Sequence, residues 1–174
     1  MAFLITDETA GSQAIASFDA GITDPDTSAV KTKHPLGTIV RAVDPTYGEG
    51  EFIYLKGVAS TAVGSWVTYN LDDGTTALLA ANAIGPVAIA MSANVLATTY
   101  GWYQISGKAV GACLTQMADN GQVWATATAG SVDDASVAGD LVNLAKGAST
   151  TVVDSGVADF EISRPFVDNN SSAT

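Results

Sequence analysis

This 174-residue chain contains a single histidine and a single cysteine, two residue types on which nucleophilic catalysis often depends. A serine or cysteine hydrolase needs a histidine held as a base within hydrogen-bond reach of its nucleophile. His34 stands directly before Pro35 in a stretch with few core-forming residues, so it is a poor candidate for a rigidly held base. Cys113 has no basic neighbour in sequence, which is typical of a buried, unreactive thiol. The sequence therefore predicts no acyl-transfer centre.

The carboxylates do not form a catalytic or metal-binding pattern either. Pairs of aspartates occur at positions 24 and 26, 72 and 73, and 133 and 134, but none has the spacing of a calcium-binding loop. Aspartate is a common turn former, which accounts for all three pairs. Glu49 and Glu51 would share one face of an extended strand, yet nothing in the sequence marks a glycosidase cleft around them. We predict that the chain is not an enzyme and holds no metal or cofactor.

Charge narrows the choice of partners. The chain carries 18 acidic and 7 basic residues, a net charge of −11 at pH 7. Binding to phosphate backbones depends on Lys and Arg, so neither nucleic acid nor an anionic membrane is an expected partner. The first residues carry no basic segment, and no uncharged apolar run is long enough to span a bilayer. We expect a soluble protein made in the cytoplasm of its host cell.

The composition predicts a thin core. Hydrophobic residues make up 47% of the chain, but aromatic residues only 7%. Much of the apolar content is Ala and Val, whose small side chains bury little surface each. Such a core often needs support from oligomerisation.

Short strands separated by turn residues follow an extended beginning. Residues 1–36 are turn-rich and predict an extended N-terminal arm without a core of its own, and a poorly ordered terminus is the alternative. Beyond them, strand-like runs alternate with Gly, Asp and Asn, the pattern of an all-β sandwich or small barrel of short antiparallel strands. Asp73-Gly74 and Ser106-Gly107 are predicted to close hairpins. The predicted strands cover residues 38–43, 51–56, 66–69, 75–79, 86–91, 102–105, 108–110, 122–127, 140–144, 150–153 and 160–163.

The sequence predicts a β-barrel or sandwich core at residues 37–113, a second β-unit at residues 114–167 that packs on or completes this core, and a flexible tail at residues 168–174. Residues 64–69 resemble residues 139–144, and with the same offset Thr75-Thr76 falls on Thr150-Thr151. Two related β-units that share one core would explain this similarity, and chance similarity among simple β sequences is the alternative.

Four segments carry a resemblance to a known family. They are Gly50-Glu-Phe-Ile-Tyr-Leu-Lys-Gly-Val, Val63-Gly-Ser-Trp-Val-Thr-Tyr, Gly85-Pro-Val-Ala-Ile-Ala-Met and Tyr100-Gly-Trp-Tyr-Gln-Ile-Ser-Gly-Lys-Ala-Val. Their order and content resemble the capsid decoration (cement) proteins of tailed bacteriophages. This chain departs from them at Ala88, where those proteins commonly have Gly. The resemblance covers residues 47–113, and residues 158–167 also resemble the ending of phage structural proteins. These are packing motifs rather than catalytic signatures.

The resemblance implies a virion protein on the outer capsid surface. Such proteins bind the head after it expands, commonly as homotrimers at local three-fold axes, and clamp neighbouring capsomers of the major capsid protein. In this chain the arm would contact the capsid, and the expected effect of deleting residues 1–20 is loss of capsid binding without unfolding. Trp102 and Tyr103 are the candidates for an inter-subunit contact. The candidate capsid-binding residues are Phe3, Leu4, Ile5, Ile22, Lys31 and Lys33.

A carbohydrate-binding β-sandwich, displayed on a virion or secreted, is the alternative function. Trp66, Trp102 and Trp124 could form a platform for weak glycan stacking, although tryptophans more often belong to a core or a subunit interface. Exposure of these indole rings distinguishes the two interpretations.

Overall fold

The computed structural model describes residues 15–114, 117–148 and 156–170, together with the backbone of residues 4 and 5. This part of the chain contains thirteen strands and no helix, so the predicted all-β class is confirmed. Within the same residues there is accordingly no helix of the length and apolarity needed to cross a bilayer.

Most strands are short, and two are long. The strands are β1 (Leu4–Ile5), β2 (Ile22–Thr23), β3 (Val30–Lys31), β4 (Ile39–Asp44), β5 (Gly48–Lys56), β6 (Trp66–Tyr69), β7 (Thr76–Leu78), β8 (Gly85–Ala90), β9 (Tyr100–Ala112), β10 (Gln122–Ala125), β11 (Val132–Asp133), β12 (Leu141–Gly147) and β13 (Val157–Val167).

Antiparallel pairing joins almost all of these strands into one sheet, in the order β1-β4-β5-β9-β8-β13-β12-β10-β11. The β6–β7 hairpin is attached to the free side of β8, and β2 and β3 form a separate small hairpin. The described strands are arranged as an open, sandwich-like fold rather than a closed barrel, which decides between the two predicted architectures.

The hairpin predicted at Ser106-Gly107 is wrong, because residues 100–112 form the single strand β9. Gly107 does have the positive φ of a turn residue, at 99°. A Cβ atom there would lie 2.5 Å from the backbone oxygen of Glu49, so the glycine permits a close crossing of two strands. The first half of β9 pairs with β5 and β8, and the second half pairs with β13. Gly107 thus marks a change of partner within one strand.

Three apolar clusters fill the spaces between the layers. The largest contains Trp66, Ile89, Val123, Val142 and Phe160, and so combines strands from both sides of the predicted boundary after residue 113. A second cluster lies around Tyr103 and Ile105, on one face of β5 and β9. The third cluster lies on the opposite face of these strands and includes Trp102, together with Ile15 from the N-terminal segment.

The similar segments 64–69 and 139–144 have similar local structures. Gly64 and Gly139 both have positive φ, at 86° and 90°, and each precedes a strand by two residues. In both segments the next carbonyl accepts a backbone hydrogen bond of 2.8 Å, Ser65 from Ala90 and Asp140 from Ala125. The predicted strand at 150–153 lies outside the described residues.

Candidate interaction surface

The single histidine and the single cysteine both pack within the described structure. The His34 ring packs against the rings of Tyr54 and Trp102, with centroid distances of 5.2 and 5.5 Å. Cys113 is buried, and burial together with Asp133 and Asp134 raises the pKa of its thiol. No group of three or more His, Cys, Asp or Glu side chains in the described part of the chain could hold a metal ion.

The paired aspartates form turns. The Asp24 carboxylate accepts the backbone N–H of Asp26 at 2.9 Å, and the Asp73 carboxylate accepts that of Thr75 at 3.0 Å. The Asp133 carboxylate accepts the backbone N–H of Ala135, two residues on, at 3.4 Å. These contacts are Asx-type turns, as the sequence predicts.

The tryptophans lie in the core. Trp66 and Trp102 are 0% exposed, and Trp124 is 4% exposed. Their rings therefore offer no surface on which a sugar could stack. Trp102 and Tyr103 are both 0% exposed within a single chain, so neither side chain is accessible for the predicted inter-subunit contact. Their alternation along β9 places them in clusters on opposite faces of the sheet, where packing within the chain uses all of their surface.

The predicted arm is folded against the sheet from residue 15 onward. Ile15 is 1% exposed, and the backbone of Asp19 exchanges two hydrogen bonds with that of Tyr100, at 2.6 and 2.7 Å. Residues 22–23 and 30–31 then form the β2–β3 hairpin. This segment covers the aromatic side chains of the third cluster, so it belongs to the structural core.

A buried carboxylate fixes this segment to the sheet. The Asp19 side chain accepts hydrogen bonds from the Tyr54 hydroxyl at 2.6 Å and from the Gly21 N–H at 2.8 Å. The Lys33 ammonium lies 3.0 Å from Oδ1, the carboxylate oxygen that also accepts the Gly21 N–H. Burial tends to raise the pKa of Asp19, but these three donors outweigh it and hold the pKa below its usual value. Burial and the nearby carboxylate raise the pKa of the Tyr54 hydroxyl, which therefore stays a donor.

Replacing Tyr54 by Phe is expected to lower the free energy of unfolding by about 1.5–3 kcal/mol, the range for a hydrogen bond to a charged group. The ring that packs on Trp102 and Tyr100 is kept, so the loss measures the hydroxyl alone. Urea unfolding followed by tryptophan fluorescence gives the value. Tyr69→Phe is the matched control, since Tyr69 is half-buried in β6 and does not contact Asp19. An equal loss in both variants would contradict the role given to the Asp19 contact.

Acid is expected to weaken this attachment. Because the folded-state pKa of Asp19 is lowered, its contribution is complete above the unfolded-state value of about 3.9 and is lost as the pH falls through the folded-state pKa. Urea midpoints measured between neutral pH and pH 2 should fall more steeply for the natural chain than for Asp19→Asn below about pH 4. Parallel curves for the two proteins would assign the acid sensitivity to other carboxylates.

The six candidate capsid-binding residues are in different environments. Phe3 lies outside the described residues, and the backbones of Leu4 and Ile5 pair with Val43 and Ala42 at the edge of β4. Ile22 is 54% exposed and lies opposite Lys31 in the β2–β3 hairpin. The two lysines contact acidic residues of their own chain: Lys31 lies 2.6 Å from Asp24, and Lys33 binds Asp19.

A polar groove lies on the outer face of the sheet. Its residues are in register across four strands, since Arg41 pairs with Glu51, Glu51 with Ser106, and Ser106 with Ser163. The Arg164 guanidinium donates to one Glu51 oxygen at 3.0 and 3.3 Å, and Arg41 to the other at 3.4 Å. We call this space, of about 320 Å³, the arginine groove; it is lined by Arg41, Glu49, Gly50, Glu51, Ser106, Ser163 and Arg164.

The arginine groove and the Asp19 contact are only partly predictable from the sequence. Alternation along a strand places Glu49 and Glu51 on one face without indicating a cleft, and the structure places both in the arginine groove. Asp19 and Tyr54, the main contact of the N-terminal segment, were not singled out because 35 positions separate them. The one available signal was an aspartate inside an otherwise small, apolar stretch at residues 14–22.

Comparison with protein-family models, with curated proteins and with solved structures finds no match to this chain.

Proposed function

We propose that this chain is a structural protein of a tailed bacteriophage, which binds the outside of the expanded capsid as a homotrimer at local three-fold axes. Its partner is the major capsid protein, whose neighbouring capsomers it clamps together. The observation that carries the proposal is where the family-like segments lie. They contain β5, β6, β8 and β9, which are hydrogen-bonded to one another in the order β5-β9-β8-β6.

These segments contribute packing rather than chemistry. Ile53, Tyr103 and Ala90 lie in adjacent positions across three of the strands, and all three belong to the same buried cluster. A resemblance confined to such buried residues supports a sheet framework shared with the decoration proteins. Decoration requires a rigid body with contact surfaces, and no catalytic group.

The N-terminal segment is the proposed capsid-contacting region. Its inner side holds it to the sheet through Ile15 and Asp19, and its β2–β3 hairpin presents Ile22 and Lys31 outward. Phe18 in the same segment is 56% exposed. Lys33 is better suited to anchoring the segment, because it is engaged by a buried carboxylate. Exposed apolar side chains on a well-anchored segment suit docking to another protein, since little ordering is needed on binding.

Binding only to the expanded lattice would stabilise that lattice by mass action. Three identical chains that contact several capsomers would add multivalency, so that modest individual contacts give firm attachment. The alternative of a glycan platform receives no support from the tryptophans, because all three are buried.

Co-sedimentation with the heads of the phage that encodes the chain tests the proposal. Expanded, undecorated heads are expected to bind the protein saturably, and unexpanded heads of the same phage to bind little. Unfolding curves recorded on the same preparation establish that the protein is folded. Equal binding to both forms of head, or no binding to expanded heads, would remove the support for a decoration role.

Replacing Ile22 by Ser is expected to weaken binding to expanded heads by about tenfold or more, because an apolar side chain buried at an interface contributes about 1.5–3 kcal/mol. Leu71→Ser is the matched control, since Leu71 is 68% exposed but lies in the turn between β6 and β7. Equal affinities of the two variants would place the capsid contact outside the β2–β3 hairpin.

A further inference from the structure

The arginine groove brings together the only two arginines of a chain whose net charge is −11. Arg41 belongs to β4 and Arg164 to β13, and Arg164 lies 113 positions from the glutamate that both contact. Their guanidinium groups approach the two oxygens of the Glu51 carboxylate from different sides, at 3.4 and 3.0 Å. The Arg164 guanidinium carries five N–H donors, and Glu51 accepts from only two of its nitrogens, so Arg164 keeps donors for a second carboxylate beside the positive charge of Arg41.

The backbone of Arg164 is held in a conformation that side chains other than glycine rarely adopt, with φ at 52°. Ser163, directly before it, is still paired with Ser106 of β9, whereas Phe166 pairs with Pro86 of β8. The turn at Arg164 therefore separates β13 from β9 and directs the guanidinium to Glu51. Strained residues of this kind persist where the surrounding structure fixes them, and they are concentrated at binding sites.

The groove offers both hydrogen-bond donors and acceptors. Guanidinium groups bind carboxylates with matching two-pronged geometry. Glu49 and Glu51 can only accept hydrogen bonds, and they repel a simple anion that has no donors of its own. The Ser106 and Ser163 hydroxyls can do both, and they lie side by side across β9 and β13. A ligand that carries one carboxylate together with several hydroxyl groups would satisfy both the donors and the acceptors of the groove.

We propose that the arginine groove binds a sugar acid, with its carboxylate on Arg41 and Arg164 and its hydroxyls on Glu49, Glu51 and the two serines. The space of about 320 Å³ is at the small end of the range for small-molecule sites and accommodates one sugar ring. The groove is open to solvent, which leaves room for a longer acidic polysaccharide to continue beyond the bound residue. This site is separate from the N-terminal segment and does not depend on capsid binding.

Nuclear magnetic resonance of the full chain tests this directly, because two arginines give two side-chain Nε–H signals. Titration with glucuronate is expected to shift both signals saturably, whereas glucose and acetate, each lacking half of the required groups, bind at least about tenfold more weakly. Arg164→Gln and Arg41→Gln are each expected to weaken glucuronate binding about tenfold or more. Lys146→Gln is the matched control, since Lys146 pairs with Glu161 on the same sheet face but does not line the groove.

The opposite results would overturn the proposal. Acetate binding as well as glucuronate would make the groove a simple anion site. Unchanged arginine signals at saturating glucuronate would leave it without a sugar-acid role. An equal loss in Lys146→Gln and Arg164→Gln would assign the binding to general surface charge. Urea midpoints of all variants, measured alongside, separate loss of binding from loss of folding.

Discussion

Removing residues 1–20 is expected to unfold the chain or leave it barely stable, whereas removing residues 1–14 leaves it folded. The longer truncation takes away Ile15, which is 1% exposed, and the buried Asp19 carboxylate. Loss of a buried isoleucine side chain costs about 2–5 kcal/mol. Loss of Asp19, the charged partner of Tyr54 and Lys33, adds about 1.5–3 kcal/mol to this loss of stability. Together these approach the whole stability of an ordinary domain, about 5–15 kcal/mol.

From the part of the chain that the structure describes, the shorter truncation removes only the two-residue strand β1. The free energy of unfolding is therefore expected to fall by only about 1–2 kcal/mol. Urea unfolding measures both variants, and the three buried tryptophans provide the fluorescence signal. This comparison revises the expectation that residues 1–20 form a removable arm. Equal stability of the two truncations would show that residues 15–20 do not belong to the core.

Replacing Trp102 by Ala is expected to lower the free energy of unfolding by about 3–5 kcal/mol, the usual cost of deleting a large buried aromatic ring. Trp102 is 0% exposed and contacts the rings of Tyr54 and His34, at centroid distances of 5.2 and 5.5 Å. Its indole nitrogen has no hydrogen-bond partner, so the loss comes from packing rather than from a polar contact.

Trp102→Phe is the matched control, because it keeps an aromatic ring in the cluster and removes the unpartnered nitrogen. We expect it to cost less than half as much as the alanine variant. The measurement is the urea midpoint with an unchanged slope, monitored by circular dichroism because the variants differ in tryptophan content. A loss below about 1 kcal/mol for Trp102→Ala would mean that this ring is not packed as the structure has it, and would reopen an inter-subunit role.

Local patterns predicted the strands well. The alternation at residues 51–56 and the short apolar run at residues 86–91 correspond to β5 and β8, and Trp66–Tyr69 has the predicted bounds. The Asp73-Gly74 turn between β6 and β7 was also predicted correctly. These features depend on residues within a few positions of one another, so a sequence contains the information needed to predict them.

The errors arose where distant parts of the chain decide the outcome. Ser106-Gly107 has the composition of a hairpin turn, but pairing with the distant strand β13 keeps β9 continuous through it. The Asp19 contact and the convergence of Arg41 and Arg164 on Glu51 depend on register across several strands. The local sequence indicates which face of its strand a side chain occupies, but it does not indicate which strand is the neighbour in the sheet.

Electron cryo-microscopy of expanded heads mixed with the purified chain shows directly whether the protein decorates the capsid. We expect added density on the outside of the shell at local three-fold axes, with three copies at each axis and the β2–β3 hairpin directed toward the major capsid protein. Heads without added density, or with density only at the tail or at isolated vertices, would contradict a decoration role.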